Sequence, residues 1–222
     1  METDHLLQAL RGEIAAISTT HRAAVVMKLA AIYYSYAPQT DNALLDFCET
    51  LIASCDSDLF AVATLWIKRR KTVIDLKHFP RVEGWLYRYI DGWGRCDQFC
   101  YRVLNPFVDK YPELFTHVMK WTRAEQTYVR RAAPVSLIRI GVGIRVKTKF
   151  DRVLQVVEVL RGDTHPHIQK GIGWLLKYAY QPYPQEVLDY LSSNATMLSR
   201  TTYRYALELV PEEVRADMMR LS

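Results

Sequence analysis

Trp93 and Asp97 stand four residues apart in the run Trp93-Gly94-Arg95-Cys96-Asp97. On a helix that spacing projects an indole and a carboxylate from the same face. A carboxylate beside an aromatic wall suits a positively charged guest, because the anion supplies Coulomb attraction and the ring face supplies cation–π attraction. The competing reading of the same spacing is a half-buried core Trp with a solvated Asp below it. Two further runs keep the pair company, YVRRAAPVSLI at 128–138 and HIQKGIGWLLKYAY at 167–180.

These residues must be positioned by helices. Helical periodicity runs almost from end to end and predicts helices near 3–17, 20–36, 41–55, 57–70, 78–91, 93–104, 112–121, 125–140, 149–161, 165–180, 184–194, 199–208 and 211–220. Ala37-Pro38, Asn105-Pro106, Tyr111-Pro112, Gly162-Asp163 and Gln181-Pro182-Tyr183-Pro184 mark the breaks. Asp41, Ser57 and Thr164 are the expected N-caps. No segment alternates strictly for long enough to read as a strand, so the expectation is an all-α chain without a sheet.

A weak internal repeat organises the helices. LFAVATLWIKRR (59–70), YVRRAAPVSLIRI (128–140) and HIQKGIGWLLKY (167–178) share a polar or basic entry, two small residues and then an apolar helix. Ala132 and Gly171 are offset by 39 residues, Asp97 and Arg131 by 34, and Ala61 and Ala132 by 71, about two repeats. Periods of this size built from helix pairs imply a right-handed α-solenoid of HEAT-like helix pairs, here as a single domain over 1–222. In that register Asp97, Arg131 and Lys170 fall at equivalent inward positions, with Trp93 and Trp174 one turn away.

Composition narrows the partners. Lys plus Arg exceed Asp plus Glu by 29 to 24, a net +5 that is compatible with nucleic acid without requiring it. Lys68-Arg69-Arg70-Lys71, Arg130-Arg131, and Arg139, Arg145, Lys147, Lys149 and Arg152 fall at helix ends and turns, where they can neutralise phosphates or simply be solvated. No run of 18 apolar residues exists to span a membrane, and METDHLLQALRGEIAAI, acidic as well as basic, is expected to be neither a signal nor a transit peptide. The four cysteines, with Cys96 and Cys100 one turn apart and Cys48 and Cys55 two turns apart, are expected to be reduced residues of a cytoplasmic protein. His165-Pro166-His167 does not complete a zinc set with them.

The chain resembles the AlkD-like DNA alkylation repair proteins, bacterial HEAT-like DNA glycosylases. The resemblance covers roughly 57–195 and rests on WGRCD (93–97), KYPELF (110–115), YVRRAAPVSLI (128–138) and IQKGIGWLLKYAYQPYPQEV (168–187). It implies a catalytic cleft of Trp93, Asp97 and Trp174, and an Arg131 that holds the DNA backbone. Arg130, Lys170 and Gln169 join Arg131 as DNA-binding candidates. The implied activity is excision of cationic N-alkylated purines, of the 3-methyladenine or 7-methylguanine type, from duplex DNA by hydrolysis of the N-glycosidic bond. Asp97 would stabilise an oxocarbenium-like sugar and position water. No cofactor or metal is implied, and a cytoplasmic monomer is expected. Two alternatives stay open: a non-catalytic HEAT-like protein that recognises damaged or branched DNA, and a protein-binding α-solenoid scaffold.

Overall fold

The computed structural model describes residues 2–141 and 143–221. The chain divides into two compact units, one ending at Tyr89 and one beginning at Ile90. The first unit holds α1 (Thr3–Ala15), α2 (Arg22–Tyr33), α3 (Asp41–Ala53), α4 (Ser57–Arg69) and α5 (Phe79–Tyr89). The second holds α6 (Trp93–Phe99), α7 (Asn105–Lys110), α8 (Phe115–Trp121), α9 (Thr127–Val135), a hairpin of β1 (Ile138–Gly141) and β2 (Gly143–Val146), then α10 (Phe150–Leu160), α11 (Pro166–Ala179), α12 (Pro184–Ser193), α13 (Arg200–Ala206) and α14 (Glu212–Met219). Among the described residues no helix is long and apolar enough to cross a membrane.

Each helix follows from its sequence. In α4, Leu59, Phe60, Ala63, Trp66 and Ile67 recur at helical spacing and are all buried. Asp56 caps the first turn by accepting from the N–H groups of Asp58 and Leu59, and Lys68 and Arg69 sit at the negative end of the helix dipole. Trp66 stacks on Phe47 and donates its indole N–H to the Ala30 carbonyl at 2.7 Å, which locks α2, α3 and α4 together. The expected caps Asp41, Ser57 and Thr164 are each displaced by one residue. Thr40, Asp56 and His165 do the capping, because the cap stands just outside the helix and reaches back to its second or third N–H. Pro166 takes the first helical position of α11, where a missing N–H leaves nothing unpaired.

The repeat is visible as a recurring sequence separation between bonded neighbours. Trp66 bonds Ala30 across 36 residues, Cys100 bonds Ala132 across 32, Arg131 bonds Asp97 across 34, Thr202 bonds Gln169 across 33 and Lys177 bonds Glu208 across 31. Within the second unit α6, α9, α11 and α13 therefore pack in succession, each helix against its counterpart one repeat later.

Two local expectations are overturned. The helix expected over 125–140 ends at Val135, because Pro134 cannot donate to the preceding turn and crowds it. The β-branched run that follows pairs instead as β1 and β2, with Ile138 opposite Val146 and Arg139 opposite Arg145, and Gly143 supplies a φ of 82° that a side chain would strain. The chain thus has one small sheet where none was expected. Asn105-Pro106 does not end a helix either. A π turn over Cys100–Leu104 carries α6 directly into α7, and Pro106 stands inside that continuous run without ending it.

The helices α11 and α13 cross closely at Gly173. A Cβ on Gly173 would lie 2.5 Å from Tyr205 Cβ and 2.7 Å from the Thr202 carbonyl oxygen. Gly173→Ala should therefore wedge the helices apart at a cost of about 1–3 kcal/mol, lowering the melting temperature by several degrees. Gly12 on the exposed face of α1 has nothing within 4 Å, so Gly12→Ala should stabilise by up to about 1 kcal/mol. Thermal unfolding of both variants beside the wild type checks the pair of signs.

Candidate functional site

The candidate site lies wholly in the second unit and is built outward from a buried ion pair. Cys96 and Cys100, one turn apart on the α6 side, donate their thiols to the carbonyls of Tyr128 and Ala132 on α9. Small side chains at this seam let the two helices approach closely enough for Asp97 to meet Arg131. The contact is a two-pronged fork, with Nε on Oδ1 at 2.8 Å and Nη2 on Oδ2 at 2.9 Å. Asp97 is 8% exposed and Arg131 5%. Burial works against the charge on Arg131, but the hydrogen bonds and field of Asp97 prevail and raise its pKa.

Arg131 also reaches forward one repeat, donating from Nη1 to the carbonyl of His167 at the start of α11. Gly171 makes room for this. A Cβ there would stand 3.3 Å from Pro134 Cγ and 3.4 Å from Arg131 Nη1. The guanidinium has five N–H donors, and three of them make these bonds.

Above the pair opens a cavity of about 410 Å³. Trp93 and Asp97 line it from α6, Arg131 from α9, and His167, Lys170, Trp174 and Lys177 from α11; Tyr205 and Glu208 close the far end. Trp93 is 57% exposed, the reverse of the core Trp over a solvated Asp that the four-residue spacing also allowed. Its ring lies 21° from parallel to the imidazole of His167 with 6.4 Å between centroids, and Tyr128 and His165 flank that imidazole at 6.0 and 5.5 Å. At the other end Lys177 pairs with Glu208 at 2.6 Å.

The electrostatics restrict the chemistry. Burial, followed by the Arg131, His165 and Lys170 charges, lowers the pKa of His167, so its ring is neutral at neutral pH. Burial, with Cys96 and Asp97 adding to it, raises the Cys100 thiol well above its usual range and removes it as a nucleophile. Among the described residues no group of three His, Cys, Asp or Glu side chains is arranged to hold a metal ion. The arrangement is a buried carboxylate, bridged by a guanidinium, in a cavity that two tryptophans also line.

The structure brings together Trp93, Asp97, Arg131, Lys170 and Trp174. It places Arg130 and Gln169 outside the cavity. Arg130 clamps Asp163 at 2.8 Å together with the carbonyls of Ala124 and Glu125, and Gln169 donates to the Asp163 carbonyl, so both organise the turns that lead into α9 and α11. Sequence reasoning missed His167, Lys177, Tyr205 and Glu208. A signal was present: 167, 170, 174 and 177 step by three, four and three, which is one face of a helix.

The DNA alkylation repair enzyme family model matches residues 16–210 of the chain. Among solved structures, a predicted DNA alkylation repair enzyme from Enterococcus faecalis is similar, with 16% identity, a TM-score of 0.71 and 95% of each chain covered. AlkD2 from Streptococcus mutans is also similar, with 15% identity, a TM-score of 0.68, and 94% of this chain and 99% of that chain covered. At these identities the likeness is one of fold. No curated protein matches the sequence.

The buried pair gives a direct test of the site's construction. Arg131→Ala strips Asp97 of its counter-ion and should cost about 3–5 kcal/mol of stability. Adding Asp97→Asn removes the stranded charge and should recover a large part of that loss. Urea unfolding of the wild type, both single variants and the double variant measures the coupling.

Proposed function

Because the chain belongs to the DNA alkylation repair enzyme family, we propose that it is a DNA glycosylase that binds duplex DNA and excises cationic N-alkylated purines. The observation that carries this reading is the Asp97 carboxylate, buried and bridged through both oxygens by Arg131, in a cavity that Trp93 and Trp174 also line.

An alkylated purine of the 3-methyladenine or 7-methylguanine type already carries a positive charge, which weakens its glycosidic bond. The C1′–N9 bond breaks, its electron pair neutralises the departing base, and positive charge builds on the sugar. Asp97, which lines the cavity, supplies an anion that would stabilise that charge. The Trp faces add cation–π attraction of about 0.5–2 kcal/mol each. A water oxygen then bonds to C1′, and its proton passes to Asp97 and on to solvent. The base leaves neutral, so no strong general acid is needed, and none of the cavity residues must serve as one.

Arg131 has a double part in this reading. It holds Asp97 in place through a two-pronged fork, and the part of it that lines the cavity would meet a phosphate beside the lesion. Lys170 adds a cation at the cavity wall. Arg145, Lys147 and Lys149 are exposed on and just after β2, further cations that a DNA backbone could meet.

A second reading, a DNA-binding protein without catalysis, is favoured by one observation: both oxygens of Asp97 are already engaged by Arg131. The two readings part on base release. On a duplex containing N7-methylguanine, Asp97→Asn should reduce base release by about 100- to 1,000-fold, the loss typical of removing one stabilising group from a transition state, while duplex binding stays equal or tightens. Release by Asp97→Asn at the wild-type rate would make the carboxylate structural. No release by the wild type would leave the binding reading.

A further inference from the structure

The His167 imidazole, stacked on Trp93, lines the cavity and has no part in the mechanism. It lines the same cavity as Asp97, and its backbone is tied to the ion pair through the Arg131 bond to its carbonyl. A neutral imidazole lengthens the apolar face of Trp93. An imidazolium at the same place sets a positive charge against the guest and draws on the same Asp97 carboxylate. We propose that His167 is a proton-controlled specificity residue of the Asp97 cavity, admitting a cationic nucleotide when neutral and excluding it when protonated. The proposal rests on the reading of the cavity as a cation site.

The surroundings fix the sign. From α6, Asp97 favours the protonated ring; from α9, Arg131 opposes it, and Tyr128 packs against it; from α11 and the turn before it, Lys170 and His165 oppose it. Asp163 accepts from the backbone N–H of His165 and is itself paired with Arg130. Burial and the effects of Arg131, His165 and Lys170 outweigh that of Asp97, so the pKa of His167 lies below the usual histidine value. Admission is therefore complete at neutral pH and fades as pH falls. By linkage a bound cation also makes protonation harder, so each excludes the other.

His165 is the rival source of any pH effect, because its Nδ1 accepts the His167 N–H as the cap of α11 and loses that capacity on protonation. Asn in its place keeps an acceptor of the right reach without titrating. His167→Phe keeps the aromatic wall without the proton.

The test uses two duplexes, one with a pyrrolidine abasic mimic that is cationic and one with neutral tetrahydrofuran. Affinities are measured from about pH 7.5 to pH 5 for the wild type, His167→Phe and His165→Asn. In the wild type, the preference for the cationic duplex should fall by about tenfold over this range, as expected for like charges a few ångströms apart in a partly screened site. The loss should persist in His165→Asn and disappear in His167→Phe. NMR titration of the wild-type imidazoles should place the His167 midpoint on the binding midpoint, a readout that holds even if the Phe variant folds poorly. A preference for the cationic duplex that is independent of pH, or whose pH dependence survives in His167→Phe, overturns the role of His167 alone. Equal affinity for the two duplexes at every pH overturns the cation-site reading and this inference together.

Discussion

The Asp97–Arg131 pair is the constraint around which the second unit is arranged. Removing two charges from water is expensive, and their attraction repays it only when both oxygens and the guanidinium donors are satisfied. That demand sets how near α6 and α9 must lie and explains thiols at their seam, where bulkier side chains would hold the helices apart. It also explains Gly171, which leaves space for the guanidinium on its way to the His167 carbonyl. Three successive repeats are thereby bound through one side chain, and the aromatic walls of the cavity stand on the helices so fixed.

Much of this was legible in the sequence. Proline and polar breaks located nearly every helix, and the four-residue step from Trp93 to Asp97 survives intact as one face of α6. The 34-residue offset between Asp97 and Arg131, read as equivalence of position, is realised as direct contact, because equivalent sites on neighbouring repeats are neighbours in space. What was hidden depended on partners far along the chain. Nothing local shows that Arg131 is buried, that Arg130 is spent on Asp163, or that Gly173 marks a crossing with α13. The hairpin was missed for another reason: a four-residue strand carries too little alternation to outweigh the helical pattern before it.

The basic excess of the sequence also reads differently once partners are known. Arg70 donates to the carbonyls of Pro38 and Gln39 and to the Tyr34 hydroxyl, Arg130 holds a turn, and Arg152 lies over Phe115 and bonds the Pro112 carbonyl. These arginines staple one segment to another, with stems and planes that suit the task better than a lysine ammonium would. Arg69, Lys71, Arg145, Lys147 and Lys149 stay exposed, so only part of each basic cluster is available to a polyanion.

The π turn over Cys100–Leu104 gives the second unit a correction of phase. Asp97 grips α9 through Arg131, and Asn105, eight residues on, grips its end through the Ser136 carbonyl at 2.8 Å. At about 100° per residue, eight residues of unbroken α-helix overshoot two full turns by roughly 80°, so the two grips would point in different directions. The wider winding of a π turn takes up that excess angle. The irregular stretch therefore works as a vernier between two anchoring points, and the helix that carries the carboxylate meets its neighbour squarely along its whole length.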